Sequence, residues 1–141
     1  WDKMKDDNSI KKHGIHPEFV CDANEDTSVN VNAERFRNVL RHLVDNAQYA
    51  CKNSEIKVVT VHCRETKNHV IITVSDTGEG MSEDFVKNQL FKPFVTTKGN
   101  AGMGLGVYDA KSFAEQHGGE MAVDSEVGQG TTVTLKLSKE Q

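Results

Sequence analysis

The stretch Val70-Ile-Ile-Thr-Val-Ser-Asp-Thr-Gly-Glu-Gly80 carries a strand straight into a glycine-bearing turn. Valine, isoleucine and threonine suit a pleated, half-buried surface. The apolar run Val70 to Val74 ends almost directly on a carboxylate, Asp76. Asp-x-Gly is ordinary turn chemistry, so the segment admits two readings. One is a plain turn. In the other, Asp76 accepts from the exocyclic amine of a base while Gly78 and Gly80 let that base approach the backbone.

Outward from this stretch, the chain divides into short periodic elements. Glu55 to Cys63 and His69 to Ser75 are rich in valine, isoleucine and threonine, and the polar stretch Arg64 to Asn68 joins them as a hairpin. Upstream, Asn32 is a helix N-cap with Glu34 in the first turn, where the dipole favours negative charge. Phe36, Val39, Leu40, Leu43, Val44, Ala47 and Cys51 then recur at helical spacing, predicting an amphipathic helix to about Ala50. Glu18 to Cys21 and Val29 to Val31 read as short strands. Residues 1–16 are polar and unpatterned, as expected of a linker from a preceding domain, with residues 17–141 forming one domain.

Downstream, Ser82 caps a short helix that ends near Leu90, before Pro93. Phe94 to Gly102 lacks periodicity and reads as a mobile loop. A second long helix runs from about Leu105 to His117 and stops at Gly118-Gly119. Glu120 to Ser125 and Thr131 to Leu137 form a last hairpin around the turn Glu126 to Gly130. The order β-β-α-β-β-α-loop-α-β-β has no internal repeat. It suits an α/β sandwich, with helices covering one face of a mixed, largely antiparallel sheet.

Composition narrows the function. With 141 residues there is room for one domain with a real core. A net charge of −4 with no basic face argues against nucleic acid as the main partner. No apolar run approaches the roughly 18 residues that span a bilayer, and no signal-peptide pattern opens the chain. Starting at Trp1 without a methionine, the chain reads as a fragment of a longer protein. Cys21, Cys51 and Cys63 are odd in number and lack CxxC spacing. They read as reduced core residues of a cytoplasmic protein.

Three further places bear chemistry. Asn46 lies about 80° from the centre of the helix's apolar stripe, on its border, where a polar side chain can reach into a cleft; His42 is one turn earlier and further out. Gly102-Met-Gly-Leu-Gly106 opens a helix, so phosphate there meets free amides and the positive dipole end. Its GxGxG spacing is not a Rossmann fingerprint and no Walker lysine-serine follows. Lys98, in the mobile loop, can reach a β- or γ-phosphate. Alone, each also has an ordinary surface or turn reading.

Together these segments resemble the catalytic ATP-binding domain of bacterial sensor histidine kinases, of the Bergerat or GHKL type that also includes gyrase, Hsp90 and MutL. Arg41 to Ala47 (RHLVDNA) resembles the N box and Asp76 to Met81 (DTGEGM) the first glycine box. Leu90 to Lys98 (LFKPFVTTK) resembles the F box, and Gly102 to Gly106 the second glycine box. Gly128-Gln-Gly-Thr131 resembles the element near the carboxyl end. The likeness covers roughly residues 17–138, with five motifs in order. The F box and the N-box histidine look most like nitrogen-regulator-type, PrsK-like kinases.

The resemblance implies roles for single residues. Asn46 coordinates Mg²⁺, and Asp76 fixes adenine with Thr131 assisting. Gly78 and Gly80 line the base pocket. Gly102, Met103, Gly104, Leu105 and Gly106 form the phosphate cradle, and Lys98 neutralises phosphate charge. Two departures stand out. The position three after Asn46, often lysine in kinases, is Tyr49. The position four before it, the water-activating glutamate of the ATPases, is His42. Phosphoryl transfer needs mainly positioning and charge stabilisation, so this pattern suits a kinase. Its histidine acceptor is implied to lie in a separate dimeric helical domain, since none of the six histidines sits in an acceptor-type box. A response regulator is implied downstream, with the isolated domain a monomer and the full-length protein a homodimer. The rival expectations are an anti-sigma-factor-type protein-serine kinase, a hydrolysing conformational ATPase, and a degenerate domain that only binds nucleotide.

Overall fold

Periodicity in the first helix translates directly into burial. The computed structural model describes residues 17–22, 33–82 and 101–139, and of residues 101–108 the backbone alone. Within it, helix α1 spans Ala33–Ala50. Val39, Leu40, Leu43, Val44 and Ala47 are buried along one stripe, with Cys51 buried just past the end. Gln48 is buried with them, the polar exception on that face.

The remaining elements are β1 (Glu18–Cys21), β2 (Val59–Glu65), β3 (His69–Asp76), α2 (Ala101–Gln116), β4 (Glu120–Glu126) and β5 (Gly130–Ser138). The strands make one five-stranded sheet in the order β1-β2-β3-β5-β4. β1 runs parallel to β2, while every other neighbouring pair is antiparallel. Alternation places Val59, Val61 and Cys63 of β2, Val70, Ile72 and Val74 of β3, and Leu135 and Leu137 of β5 on one face. There they form a single core with α1 and with Ala110, Phe113 and Ala114 of α2. The expected mixed sheet with helices on one face is what forms.

Two element boundaries and the burial of one cysteine differ from expectation. β2 begins at Val59 instead of Glu55, because Thr77 takes over the preceding backbone. The Thr77 hydroxyl donates to the Ile56 carbonyl at 2.6 Å and accepts from the Val58 amide at 3.0 Å, while the Thr77 amide donates to the Val58 carbonyl. α2 begins at Ala101, four residues before the expected start at Leu105, so the glycines of Gly102 to Gly106 lie inside its first turns. Glycine is a poor helix interior residue, yet these positions are helical. Cys21, expected in the core, is exposed because β1 is the edge strand, whereas Cys51 and Cys63 are buried. The expected strand Val29–Val31, the cap Asn32, the short helix before Leu90, and Lys98 lie outside the described residues.

α2 ends as its sequence directs. Gly118 takes φ 72°, and the amides of His117 and Gly119 both bond the Ala114 carbonyl. A left-handed glycine after the last turn satisfies carbonyls that would otherwise be orphaned. The two helices are tied together around Phe113. Its ring, fully buried, stands 6.2 Å from Phe36 and 4.6 Å from His117 between centroids. The Arg35 guanidinium lies 5.5 Å above that ring and donates to Gln116 Oε1 and Asp109 Oδ1.

Truncating Phe113 to alanine removes this contact and leaves a cavity at the helix junction, a loss of about 3–5 kcal/mol for a buried aromatic. Urea unfolding of Phe113→Ala is expected to lower the midpoint by that loss divided by the m-value, with the m-value unchanged. A loss below about 1 kcal/mol would show that the helix pair does not rest on this ring.

Candidate functional site

Asp76 is the last residue of β3, and its register partner on β5 is Thr131. The pairing decides what surrounds the carboxylate. It accepts from the Gly78 amide at 2.8 Å and from the Thr131 amide. Both bonds favour the charged form, yet burial outweighs them and raises the Asp76 pKa from 3.8 to about 6. A half-buried carboxylate at a strand end, with part of its acceptor capacity still open, is poised to receive a donor from a ligand.

The glycines determine how closely the site's walls approach. A Cβ on Gly78 would stand 2.6 Å from the backbone of Ala50, so any side chain there would push α1 away from the turn. The Glu79 amide donates to the Ala50 carbonyl at 3.3 Å across the same junction. Asn46 is one turn before Ala50 and therefore on the same side of α1. It is half-buried on the helix face that meets the Asp76–Gly80 turn. Gly80 takes φ 73°, and a Cβ on it would reach 2.1 Å from the Glu126 carbonyl oxygen. The Gly128 amide closes the other side, donating to the Glu79 carbonyl at 2.8 Å.

A residue that sequence reasoning passed over holds these pieces together. Ser125 Oγ accepts from the Met81 amide at 2.7 Å, donates to the Gly130 carbonyl at 3.2 Å and lies 2.7 Å from Thr131 Oγ1. One hydroxyl thus links the glycine turn, the β4–β5 hairpin and Thr131, which is itself buried. The only trace of this in the sequence is a serine one residue before a glycine-rich turn. Thr77 was also missed: its hydroxyl splices the segment before β2 onto the site.

Asn46, Asp76, Gly78, Gly80 and Thr131 therefore meet around one end of the α1–sheet layer. Gly102, Met103, Gly104, Leu105 and Gly106 form the N-terminal end of α2, where the first amides have no intrahelical partners. His42 is exposed. Tyr49 is 36% exposed, with the Lys52 ammonium 5.8 Å from its ring centroid. Among the described residues no group of three or more histidine, cysteine, aspartate or glutamate side chains could hold a metal ion.

The chain belongs to the histidine kinase-, DNA gyrase B- and HSP90-like ATPase family, whose model matches residues 31–141. It is 36% identical over 111 residues to the sensor protein SrrB of Staphylococcus aureus, covering 75% of this chain and 18% of that relative. The nucleotide-free catalytic domain of histidine kinase ThkA superposes with a TM-score of 0.75 at 28% identity, covering 94% of this chain and 85% of that one. Full-length ShkA in complex with AMPPNP shares the fold, with a TM-score of 0.73 at 24% identity over 96% of this chain and 27% of its own. By sequence and fold this is a catalytic domain of the histidine kinase kind. None of its described helices is long and apolar enough to cross a membrane.

Because the folded-state pKa of Asp76 is raised, the folded chain holds its proton more tightly than the unfolded chain. The stability this contributes is present below about pH 4 and is lost as pH rises through about 6. Asp76→Asn removes the buried charge and is expected to stabilise the ligand-free fold at pH 7.5. With partial exposure discounted, the gain is on the order of 1–2 kcal/mol. Thermal melts from pH 5 to pH 8 should show this gap shrinking towards pH 5. A gap independent of pH would exclude burial of the carboxylate as its source.

Proposed function

We propose that this domain binds Mg-ATP and presents its γ-phosphate to a histidine on a separate dimeric helical domain of the same full-length protein. The observation that carries this reading is Asp76: a desolvated carboxylate, held by the Gly78 and Thr131 amides, in a chain of the histidine kinase-like ATPase family. Its free acceptor capacity suits the adenine amino group, and the side-chain-free faces of Gly78 and Gly80 suit a flat base. Thr131, bonded to Ser125, holds the pocket wall on which the base rests.

Phosphate binding falls to the other end of the cleft. The amides in the first turns of α2, from Gly102 and Met103 through Gly104, Leu105 and Gly106, cradle the phosphates at the positive end of a helix. Lys98 adds a cation. Bound Mg²⁺ would supply charge neutralisation for the phosphates, with Asn46 as the residue of this chain that would hold it. Asn46 offers it one amide oxygen, which suits an ion that usually keeps few protein ligands and takes the rest from phosphate and water. This donor set positions a phosphoryl group without activating water, because His42 stands where a hydrolysing site needs a carboxylate.

The chain spans 18% of the length of the curated relative it matches. The remaining machine, including the acceptor histidine, a cytoplasmic placement, homodimerisation and a response regulator downstream, belongs to this proposal. The domain by itself is then a monomer that binds nucleotide and turns over little.

Two measurements test it. Calorimetry with ATP and Mg²⁺ is expected to show roughly tenfold or greater weakening in Asp76→Ala, since a hydrogen bond to a buried charged group contributes about 1.5–3 kcal/mol. Unchanged affinity would remove Asp76 from base recognition. Incubation with γ-labelled ATP should leave the chain itself unlabelled, and a histidine-bearing helical domain supplied in trans should become labelled. Rapid phosphate release that disappears in His42→Ala would instead identify an ATPase.

A further inference from the structure

At the sheet edge, opposite in function to the nucleotide cleft, two of the three cysteines face each other. Cys21 ends β1 and Cys63 lies in β2, and the two are register partners on adjacent parallel strands. Paired residues on parallel strands share a face and stand about 4.8 Å apart between Cα atoms, inside the range of about 4.4–6.8 Å that a disulfide spans. The two side chains are near enough that each affects the other's protonation. The strand end is pinned alongside them: the Asp22 amide donates to the Cys63 carbonyl at 2.8 Å, and the Asp22 carboxylate contacts His62 Nε2.

The two sulfurs differ in what they can do. Cys21 is exposed and open to oxidants, whereas Cys63 is buried behind it. Burial and the neighbouring Cys21 push the Cys63 thiol up to about 11, so it remains protonated and does not react first. An exposed thiol beside a shielded one is the arrangement of an attacking and a resolving cysteine. Cys51 takes no part; its Sγ lies 3.9 Å from the Val58 carbonyl and 3.8 Å from Thr77 Oγ1, in the core below α1.

We propose that Cys21 and Cys63 form a dithiol site that hydroperoxides convert to a reversible disulfide, clamping edge strand β1 to the sheet. In the first step the Cys21 sulfur attacks the hydroperoxide, the O–O bond breaks, and the thiol proton leaves with the alcohol or water released, giving Cys21 sulfenic acid. In the second step the Cys63 sulfur attacks the sulfenic sulfur, the S–S bond forms, and the S–O bond breaks. Water leaves, carrying the Cys63 proton. Two thiols are oxidised by two electrons and one hydroperoxide is reduced. The resting state is the dithiol, as in a reducing compartment, and a thiol reductant restores it. Closure ties the chain between residues 21 and 63 into a ring that contains all of α1, and so couples the edge of the sheet to the helix bearing Asn46. The thiol chemistry stands whether or not the domain is a kinase.

Intact-mass spectrometry of the chain after hydrogen peroxide tests the proposal. The expected result is a mass lower by two hydrogens, reversed by dithiothreitol, with peptide mapping joining Cys21 to Cys63. Cys51→Ala is expected to keep this loss and Cys21→Ser, at an exposed position, to abolish it. In Cys63→Ser, dimedone should trap Cys21 as the sulfenic acid. If that variant fails to fold, the other two still decide the matter. Linkage through Cys51, or conversion of Cys21 to sulfinic acid without any loss of two hydrogens, would overturn the proposal.

Discussion

The antiparallel register between β3 and β5 is the constraint on which the site depends. It sets Asp76 opposite Thr131 at the end of both strands, so the Thr131 amide can reach the carboxylate that β3 delivers. A slip of one residue would turn both side chains to the other face of the sheet. The core resists such a slip, because Val70, Ile72 and Val74 share the buried face with Leu135 and Leu137. Hydrophobic alternation in the strand interior therefore positions a polar constellation at the strand end.

Around that register, the structure accepts a local cost. Burying Asp76 disfavours its charged form, and two backbone amides offset the cost only in part. Gly78 and Gly80 lie where other walls of the site come closest, against Ala50 and Glu126. Ser125 then joins the turn, the hairpin and Thr131 through one hydroxyl. The buried charge and the bare glycines weaken local packing or polarity matching while leaving a pocket edge that a flat, amine-bearing ligand can complete. Functional sites are where such local violations are expected.

The opposite sheet edge follows a different logic. β1, with four residues, is the only parallel member among the described pairings and has one neighbour. Its hold on the sheet is short, and the Asp22 contacts and the Cys21–Cys63 pair lie together at its end. Of the two cysteines at that edge, Cys21 is exposed while Cys63 belongs to the buried face of the sheet, so the pair joins the edge strand to the core.

Much of this was legible in the sequence because the signals are local. The 3.6-residue spacing from Phe36 to Cys51 determined α1, and the strand-forming runs Val70 to Val74 and Thr131 to Leu137 determined two central strands. The Gly118-Gly119 stop ended α2, and the motif order carried the family. Asp76 and Gly78 could be named as candidates from their types and spacing, and Thr131 from the family resemblance. Other features were decided only by tertiary structure, since they join residues far apart in the chain. The start of β2 moved to Val59 because Thr77, nineteen residues beyond Val58, captured its amide. Cys21 left the core because β1 became the edge strand, which no local pattern announces. Ser125 acquired its role through partners at Met81 and Thr131, and the depth of Asp76 came from strands and turns that close around it. Periodicity specifies which face of an element is buried; only the packed sheet specifies what that face, or a strand end, meets.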